Sequence, residues 1–105
     1  IRAVFEGSTD AAGRPWRILS VPAPATLRDG EGWVDYSYIN HLVVNGGVIA
    51  CTFADPSDEK ALAIFADVYP GRRVVGVDAR ELFARGGGIH CITQQQPRTS
   101  RKAMT

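Results

Sequence analysis

Three consecutive glycines and an Ile-His pair come before a cysteine in the stretch Gly86-Gly87-Gly88-Ile89-His90-Cys91-Ile92-Thr93-Gln94-Gln95-Gln96-Pro97. Glycine takes φ angles that other residues avoid and lets a neighbouring group come close, because it has no Cβ. The side chain that follows the run, Cys91, can therefore be set in a pocket with little steric cover. The β-prone residues 92–95 predict a final strand that starts beside it.

The region before this stretch, residues 38–77, has the most regular pattern in the chain. Residues 38–44 are rich in β-formers, Asn45-Gly46-Gly47 is a hairpin turn signal, and residues 48–53 return as the partner strand. Asn45 is expected to be the turn residue, since asparagine tolerates a left-handed φ angle.

A helix is predicted after the hairpin. Asp55 can cap it, Pro56 suits its first position, and Asp58 lies where a carboxylate favours the positive end of the helix dipole. Pro70-Gly71 should end the helix, and residues 73–77 are predicted to form a third strand, which gives the order β-β-α-β. One face should pack on the sheet, because apolar residues recur at helical spacing: Ala61, Leu62, Phe65 and Val68.

The flanking regions are less regular. Residues 3–5 and 16–21 are predicted strands around a polar loop, and residues 22–35 are predicted to be a surface connection because proline and glycine interrupt them. Asp78 can cap a short helix that runs to Phe83.

Composition limits the classes of function. The chain has 105 residues, 45% of them hydrophobic, and a formal net charge of +1 with both signs interspersed. These values favour one compact unit and give no sign of a nucleic-acid or membrane partner. Arg98, Arg101 and Lys102 make the C-terminal tail basic, but a short tail of this kind is usually a frayed end, and we assign it no function.

The sequence also suggests where the protein works. No apolar run reaches the ~20 residues of a membrane span, and no signal peptide is visible, so we expect a soluble protein. The chain starts at Ile1 rather than at a methionine, which suggests that residues are missing upstream. Two cysteines are too few for a disulfide framework, and a reactive thiol favours the reducing cytoplasm.

Other sites are disfavoured. A zinc site would have to combine His41, Cys51, His90 and Cys91, whose spacing is unsuitable and includes an adjacent pair. The glycine run lacks the Lys-Ser/Thr of a phosphate-binding loop. We expect no metal and no cofactor. Cys51 lies in a predicted strand with no glycine beside it and is expected in the core.

The stretch from Gly86 to Pro97 resembles the C-terminal signature of the agmatine deiminase and bacterial peptidylarginine deiminase family, part of the pentein superfamily. Asn40 and Asn45 match the Tyr-x-Asn and Asn-Gly elements of that family, and the likeness runs from about Ile18 to Pro97. It implies an α/β fold, the C-terminal part of a pentein propeller built from repeated β-β-α-β modules. Residues 1–105 would then be one portion of a catalytic domain, with a module at 38–77, a nucleophile loop and last strand at 78–97, and the tail at 98–105.

The resemblance also implies an activity. The family converts agmatine to N-carbamoylputrescine and ammonia, a step of putrescine and polyamine biosynthesis, and its cysteine after Gly-Ile-His is the covalent nucleophile, here Cys91. A free thiol has a pKa of about 8.5, so something must lower that pKa or take the proton. In the family a histidine and paired carboxylates from upstream modules assist. This chain alone is therefore expected to be inactive.

The remaining site residues are expected to bind substrate or support the loop. They are Gly86, Gly87, Gly88, His90 and Asn40. His90 is a poor general base, because neighbours on an extended segment point to opposite faces. Asn40 is expected to support the site from a strand.

Two alternatives stay open, a peptidylarginine deiminase and a truncated, non-catalytic module. The expected partners are a guanidine substrate, the remaining modules of the same protein and a possible second copy in a homo-oligomer.

Overall fold

Three strands and the helix that crosses between two of them form the centre of the molecule. The computed structural model describes residues 1–99. In chain order, its elements are helix α1 (Arg2–Glu6), strands β1 (Arg28–Asp29), β2 (Gly32–Trp33), β3 (Leu42–Val44) and β4 (Gly47–Thr52), helix α2 (Asp58–Val68), strand β5 (Arg73–Asp78), helix α3 (Arg80–Ala84) and a 3-10 turn (His90–Ile92).

The central sheet has the strand order β3-β4-β5. β3 and β4 are antiparallel, with Val43 opposite Val48, and β4 and β5 are parallel, with Val48 opposite Val74. A parallel pair needs a crossover connection, and α2 supplies it. The order β-β-α-β expected within residues 38–77 is the order that the structure has.

Two details of the hairpin differ from the sequence prediction. β3 begins at Leu42 rather than near residue 38, because the chain turns just before it and the His41 amide donates to the Ile39 carbonyl at 2.8 Å. In the turn, the residue with a left-handed φ is Gly46, at 75°. The expectation that Asn45 takes that conformation is wrong, since the glycine beside it adopts it without a steric penalty.

Two aspartates organise the start of α2. The helix begins at Asp58, later than Pro56, and the Asp58 carboxylate accepts the backbone N–H groups of Phe53 and Asp55. The residue at the N-cap is Ser57, so the expectation that Asp55 caps the helix is wrong. Asp55 instead accepts the Ser57 N–H at 2.9 Å and the N–H groups of Ala25 and Thr26, each at 3.0 Å. Asp55 therefore connects the N-terminal segment to the central unit.

The core lies between α2, the sheet and the aromatic side chains beside them. Phe53 is at its centre, with the Tyr36 ring stacked on it at 4.4 Å and the Phe83 ring edge-on at 5.4 Å. Tyr38 is 1% exposed, and Ile89, from the glycine-rich stretch, is 6% exposed. The loop that carries Cys91 is therefore packed against the core on both sides, through Phe83 and Ile89.

The N-terminal region departs from the prediction. Residues 3–5 belong to helix α1 rather than to a strand, and residues 16–21 form no strand. Three apolar residues fit either period, and the spacing of Arg2 and Glu6, whose charged groups lie 3.8 Å apart, favours the helix. Within the predicted connection at 22–35, β1 and β2 form a small hairpin, because the Asp29 carboxylate accepts the N–H groups of Glu31 and Gly32.

The C-terminal region departs from it as well. Residues 92–95 form no strand, and a 3-10 turn at His90–Ile92 stands at the start of that stretch. The short helix predicted after Asp78 is present as α3, with the Asp78 carboxylate accepting the Arg80 N–H at 3.1 Å. Most of the basic tail, residues 100–105, lies outside the described residues. Among residues 1–99, no helix is long and apolar enough to cross a bilayer.

Replacing Tyr38 by phenylalanine should lower the free energy of unfolding by about 1.5–3 kcal/mol, because the buried Tyr38 hydroxyl donates to the Asp58 carboxylate at 2.6 Å. Chemical denaturation measures the change. The control is Tyr36→Phe, since the Tyr36 ring packs on Phe53 while its hydroxyl has no hydrogen-bond partner within residues 1–99. Equal losses in the two variants would contradict the prediction.

Candidate active site

Cys91 lies in the 3-10 turn His90–Ile92, and its side chain is exposed. The turn is closed by the Thr93 N–H and the Thr93 hydroxyl, which donate to the His90 carbonyl at 3.1 and 2.9 Å. The expectation that His90 and Cys91 point to opposite faces of an extended segment does not apply to this turn. Both residues line the same groove.

The glycine run brings the loop close to its neighbours. Gly86 has a φ of 108°, which turns the chain after α3. A Cβ on Gly87 would lie 2.8 Å from the Cys91 Cβ and 2.9 Å from its sulfur, and a Cβ on Gly88 would lie 2.7 Å from the Asn40 Cγ. Atoms cannot approach so closely, so only glycine fits at these two positions. The close approach predicted from the run is confirmed.

Asn40 contacts both cysteines and the loop. Its side-chain amide nitrogen donates to the Cys91 sulfur at 3.0 Å, and its side-chain oxygen accepts the His90 N–H at 2.8 Å. Its backbone carbonyl accepts the Cys51 thiol at 3.0 Å. Asn40 lies two residues before β3, so the expectation that it acts from within a strand is wrong.

The two thiols have opposite electrostatic environments. Cys51 is fully buried in β4, as predicted, and burial raises the pKa of its thiol. The pKa of Cys91 is lowered, first by the hydrogen bond from the Asn40 amide and then by the Gly88 backbone, against the opposing effects of desolvation and of the Asp35 charge. Cys91 is therefore the more easily ionised of the two.

The groove beside Cys91 has a volume of about 500 Å³ and contains a carboxylate that the sequence analysis missed, Asp35. Asp35 makes no ion pair within residues 1–99. No local motif marks it, because it reaches the loop only through the fold. The groove is lined by Asp35, Ser37, Ile39, Asn40, Phe83, Gly86, Gly87, His90 and Cys91.

His41 is taken up by structural contacts rather than by the groove. Its two ring nitrogens lie 2.6 Å from the Ile39 carbonyl oxygen and 3.0 Å from the Tyr69 hydroxyl, and its ring packs on Phe65. Within residues 1–99, no three His, Cys, Asp or Glu side chains are grouped as metal ligands would be.

An exposed thiol of lowered pKa, hydrogen-bonded in its ionised form, can act as a nucleophile. The nearby Asp35 carboxylate makes the groove favourable for a cationic group. The arrangement is that of a cysteine site on an α/β scaffold, suited to attack on an electrophilic carbon of a cationic molecule.

The sequence family and the relatives that match this chain carry the names of deiminases. Residues 1–97 match the family described as Porphyromonas-type peptidyl-arginine deiminase, and the chain belongs to that family. A relative in Streptomyces coelicolor, provisionally named an agmatine deiminase, is 61% identical over 97 residues, which cover 91% of this chain and 29% of that protein. An agmatine deiminase of Pseudomonas fluorescens is 43% identical over 112 residues, covering 90% of this chain and 30% of the relative. The chain thus spans less than a third of these relatives.

Solved structures of agmatine deiminases also superpose on this chain. The agmatine deiminase of Enterococcus faecalis superposes with a TM-score of 0.80 at 30% identity, over 92% of this chain and 31% of that one. A cysteine-to-serine variant of the C. jejuni agmatine deiminase with substrate bound superposes with a TM-score of 0.67 at 26% identity, over 72% of this chain and 23% of that one.

Limited treatment of the folded protein with iodoacetamide should label Cys91 well before Cys51. Cys91 is exposed and more easily ionised, whereas Cys51 is buried and its pKa is raised. Mass spectrometry of the two cysteine peptides gives the order of labelling, and the denatured protein, in which both thiols should react at similar rates, is the control. Earlier labelling of Cys51 in the folded protein would show that the thiol environments are assigned wrongly.

Proposed function

We propose that the protein carrying this chain is a hydrolase that converts agmatine to N-carbamoylputrescine and ammonia, with Cys91 as the covalent nucleophile. The observation that carries the proposal is the exposed Cys91 thiol, hydrogen-bonded by Asn40 in a groove that also holds a carboxylate. The family and the Pseudomonas relatives named agmatine deiminase support the choice of reaction.

The reaction begins when the Cys91 thiolate attacks the central carbon of the guanidinium group. A C–S bond forms and gives a tetrahedral adduct. One amino nitrogen of the adduct is protonated, its C–N bond breaks, and ammonia leaves. Water then attacks the thiouronium carbon and the C–S bond breaks. This releases the urea product and regenerates the Cys91 thiol. Each step is a substitution without redox change, so a thiol, an acid–base group and water suffice, with no metal or organic cofactor.

The other site residues act through the loop in this proposal. Gly87 and Gly88 leave the space in which Cys91 and Asn40 meet. His90 contributes its backbone, donating to the Asn40 side chain and accepting from Thr93, which supports a loop-orienting role. We assign the general base and the main guanidinium-binding carboxylates to parts of the protein outside this chain.

We further propose that the chain is the C-terminal part of a pentein propeller and that β3, β4, α2 and β5 form one of its modules. The chain spans less than a third of the length of its relatives, which supports its being one part of a larger fold. Further support comes from large apolar side chains that the isolated unit leaves exposed, Val75 and Val77 on edge strand β5, each 42% exposed, and Ile39 in the groove, 66% exposed. Further modules of the same protein, or a second copy, would cover them.

A second candidate is hydrolysis of an arginine side chain on a peptide, favoured by the description of the matching family. Both reactions use the same attack on a guanidinium carbon and differ at the far end of the substrate. A comparison of kcat/KM for agmatine and for a blocked arginine peptide separates them.

We place either reaction in the cytoplasm, where thiols stay reduced, and agmatine hydrolysis in putrescine biosynthesis.

Replacing Cys91 by serine in the protein at the length of its relatives should reduce agmatine turnover by roughly three or more powers of ten, because a hydroxyl is hardly ionised at neutral pH. Ammonia release measures turnover, and calorimetry should show that agmatine binding is largely retained. Cys51→Ser is the matched control, because it makes the same change and keeps a donor for the Asn40 carbonyl, and it should keep most of the turnover. A serine variant with a tenth of the original rate would rule out Cys91 as the nucleophile.

Residues 1–105 alone should release no ammonia from agmatine, since acid–base and positioning groups supply many powers of ten in rate and we assign them to other parts of the protein. Mixing this chain with the separately expressed upstream portion should restore measurable turnover if the two associate. Activity of residues 1–105 alone would show that the base and the guanidinium-binding groups lie within this chain.

A further inference from the structure

The orientation of the Asn40 side chain follows from its neighbours. A backbone N–H can only donate, so the side-chain atom that lies 2.8 Å from the His90 nitrogen must be the amide oxygen. The NH₂ group is then the atom 3.0 Å from the Cys91 sulfur. An NH₂ group is a donor only, and its acceptor at this position is the sulfur, best in its ionised form.

We propose that Asn40 is a positioning residue for the reaction, which holds Cys91 in its thiolate form through the amide NH₂ and fixes the distance between the Cys91 turn and the entry to β3 through the amide oxygen. This inference rests on the proposed function, in which Cys91 is the nucleophile. The two bonds have different effects. The bond from the NH₂ group stabilises the charge on the sulfur, and the bond to the amide oxygen fixes the position of the turn that carries it.

Neighbouring glycines make the arrangement specific. A Cβ at Gly88 would lie 2.7 Å from the Asn40 Cγ, so the amide fills the space that the missing side chain leaves. The backbone of Asn40 is held separately, because its carbonyl accepts the buried Cys51 thiol. The amide is therefore packed on one side and hydrogen-bonded at both ends, which limits its rotation.

The choice of an amide has a chemical consequence. Asn40 stabilises the thiolate without carrying a charge or a transferable proton, so it cannot compete with the sulfur for a proton. A more stable thiolate is a somewhat weaker nucleophile, but nucleophilicity falls by only about half as much, on a logarithmic scale, as the ionised fraction rises. Near neutral pH, therefore, the net effect on the rate of attack is favourable.

Three other titratable groups act near the Cys91 sulfur. The Asp35 carboxylate opposes ionisation of Cys91 by its charge, and Cys51 and Cys91 oppose each other's ionisation if both are charged. His90 lines the same groove from the adjacent position in the turn. Asn40 is thus a neutral donor that favours the thiolate, whereas the charge of Asp35 opposes it.

The experiment is the pH dependence of iodoacetamide labelling at Cys91, measured by mass spectrometry in the protein at the length of its relatives. Asn40→Ala removes the donor without adding charge, and it should move the profile to higher pH and slow labelling at pH 7 by roughly three- to tenfold. Asn40→Asp keeps an acceptor for the His90 N–H, loses the donor and adds a negative charge, so its shift should be larger and in the same direction.

Two controls make the result decisive. Asn45→Asp makes the same chemical change in the hairpin turn and should leave the profile in place. Asp35→Asn removes the opposing charge and should move the profile to lower pH, which shows that the assay detects shifts of either sign. Unmoved profiles in both Asn40 variants would overturn the proposal, as would equal shifts from Asn40→Asp and Asn45→Asp.

Failure of this inference is distinguishable from failure of the proposed function. If Asn40 is a positioning residue, Asn40→Ala should lower kcat for agmatine below the thiol pKa and recover part of it at higher pH, with KM little changed. A loss of activity that is the same at every pH, with an unmoved labelling profile, would contradict the role of Asn40 and leave Cys91 as the nucleophile. A fully active Cys91→Ser variant would instead remove the proposed function itself.

Discussion

The close contact of the glycine loop with Asn40 and Phe83 is the constraint on which the site depends. A Cβ on Gly88 would lie 2.7 Å from the Asn40 Cγ and 2.8 Å from the Phe83 ring. Phe83 belongs to the aromatic core around Phe53, so the loop is positioned by the same packing that stabilises the fold. Because protein interiors are close-packed, a shift of the loop would have to move core side chains as well. The position of the exposed Cys91 is therefore fixed by buried side chains.

Asp55, just beyond the C-terminal end of β4, plays the corresponding part for the N-terminal segment. Asp55 accepts N–H groups from Ala25, Thr26 and Ser57, and these bonds, Ala25 first, lower the pKa of its carboxyl below the usual value. A depressed pKa means that the stabilisation is present above the pKa of the unfolded chain and is lost as pH falls through the folded value. The connection between the N-terminal segment and the central unit should therefore weaken only in acid.

The sequence was informative where a pattern extends over many residues. The hairpin, α2 and β5 follow from alternation, a turn signal and helical spacing, and the burial of Cys51 and the close approach at Gly87 follow from the residues beside them. Among the short segments, α3 was predicted after Asp78, but α1 was not, since its few apolar residues suit a helix or a strand. Asp35 could not be found either, because its place beside Cys91 results from tertiary packing between positions far apart in the chain.

The two cysteines show how much of the chemistry belongs to the environment rather than to the residue type. Both contact Asn40, but Cys51 donates to its carbonyl, whereas Cys91 accepts from its side-chain amide. The first contact requires the protonated thiol, and burial raises the pKa of Cys51 further; the second favours the thiolate of Cys91. A single asparagine therefore makes one thiol a structural donor and the other a candidate nucleophile. This division needs Asn40 just outside β3, where its backbone can face the sheet while its side chain faces the loop.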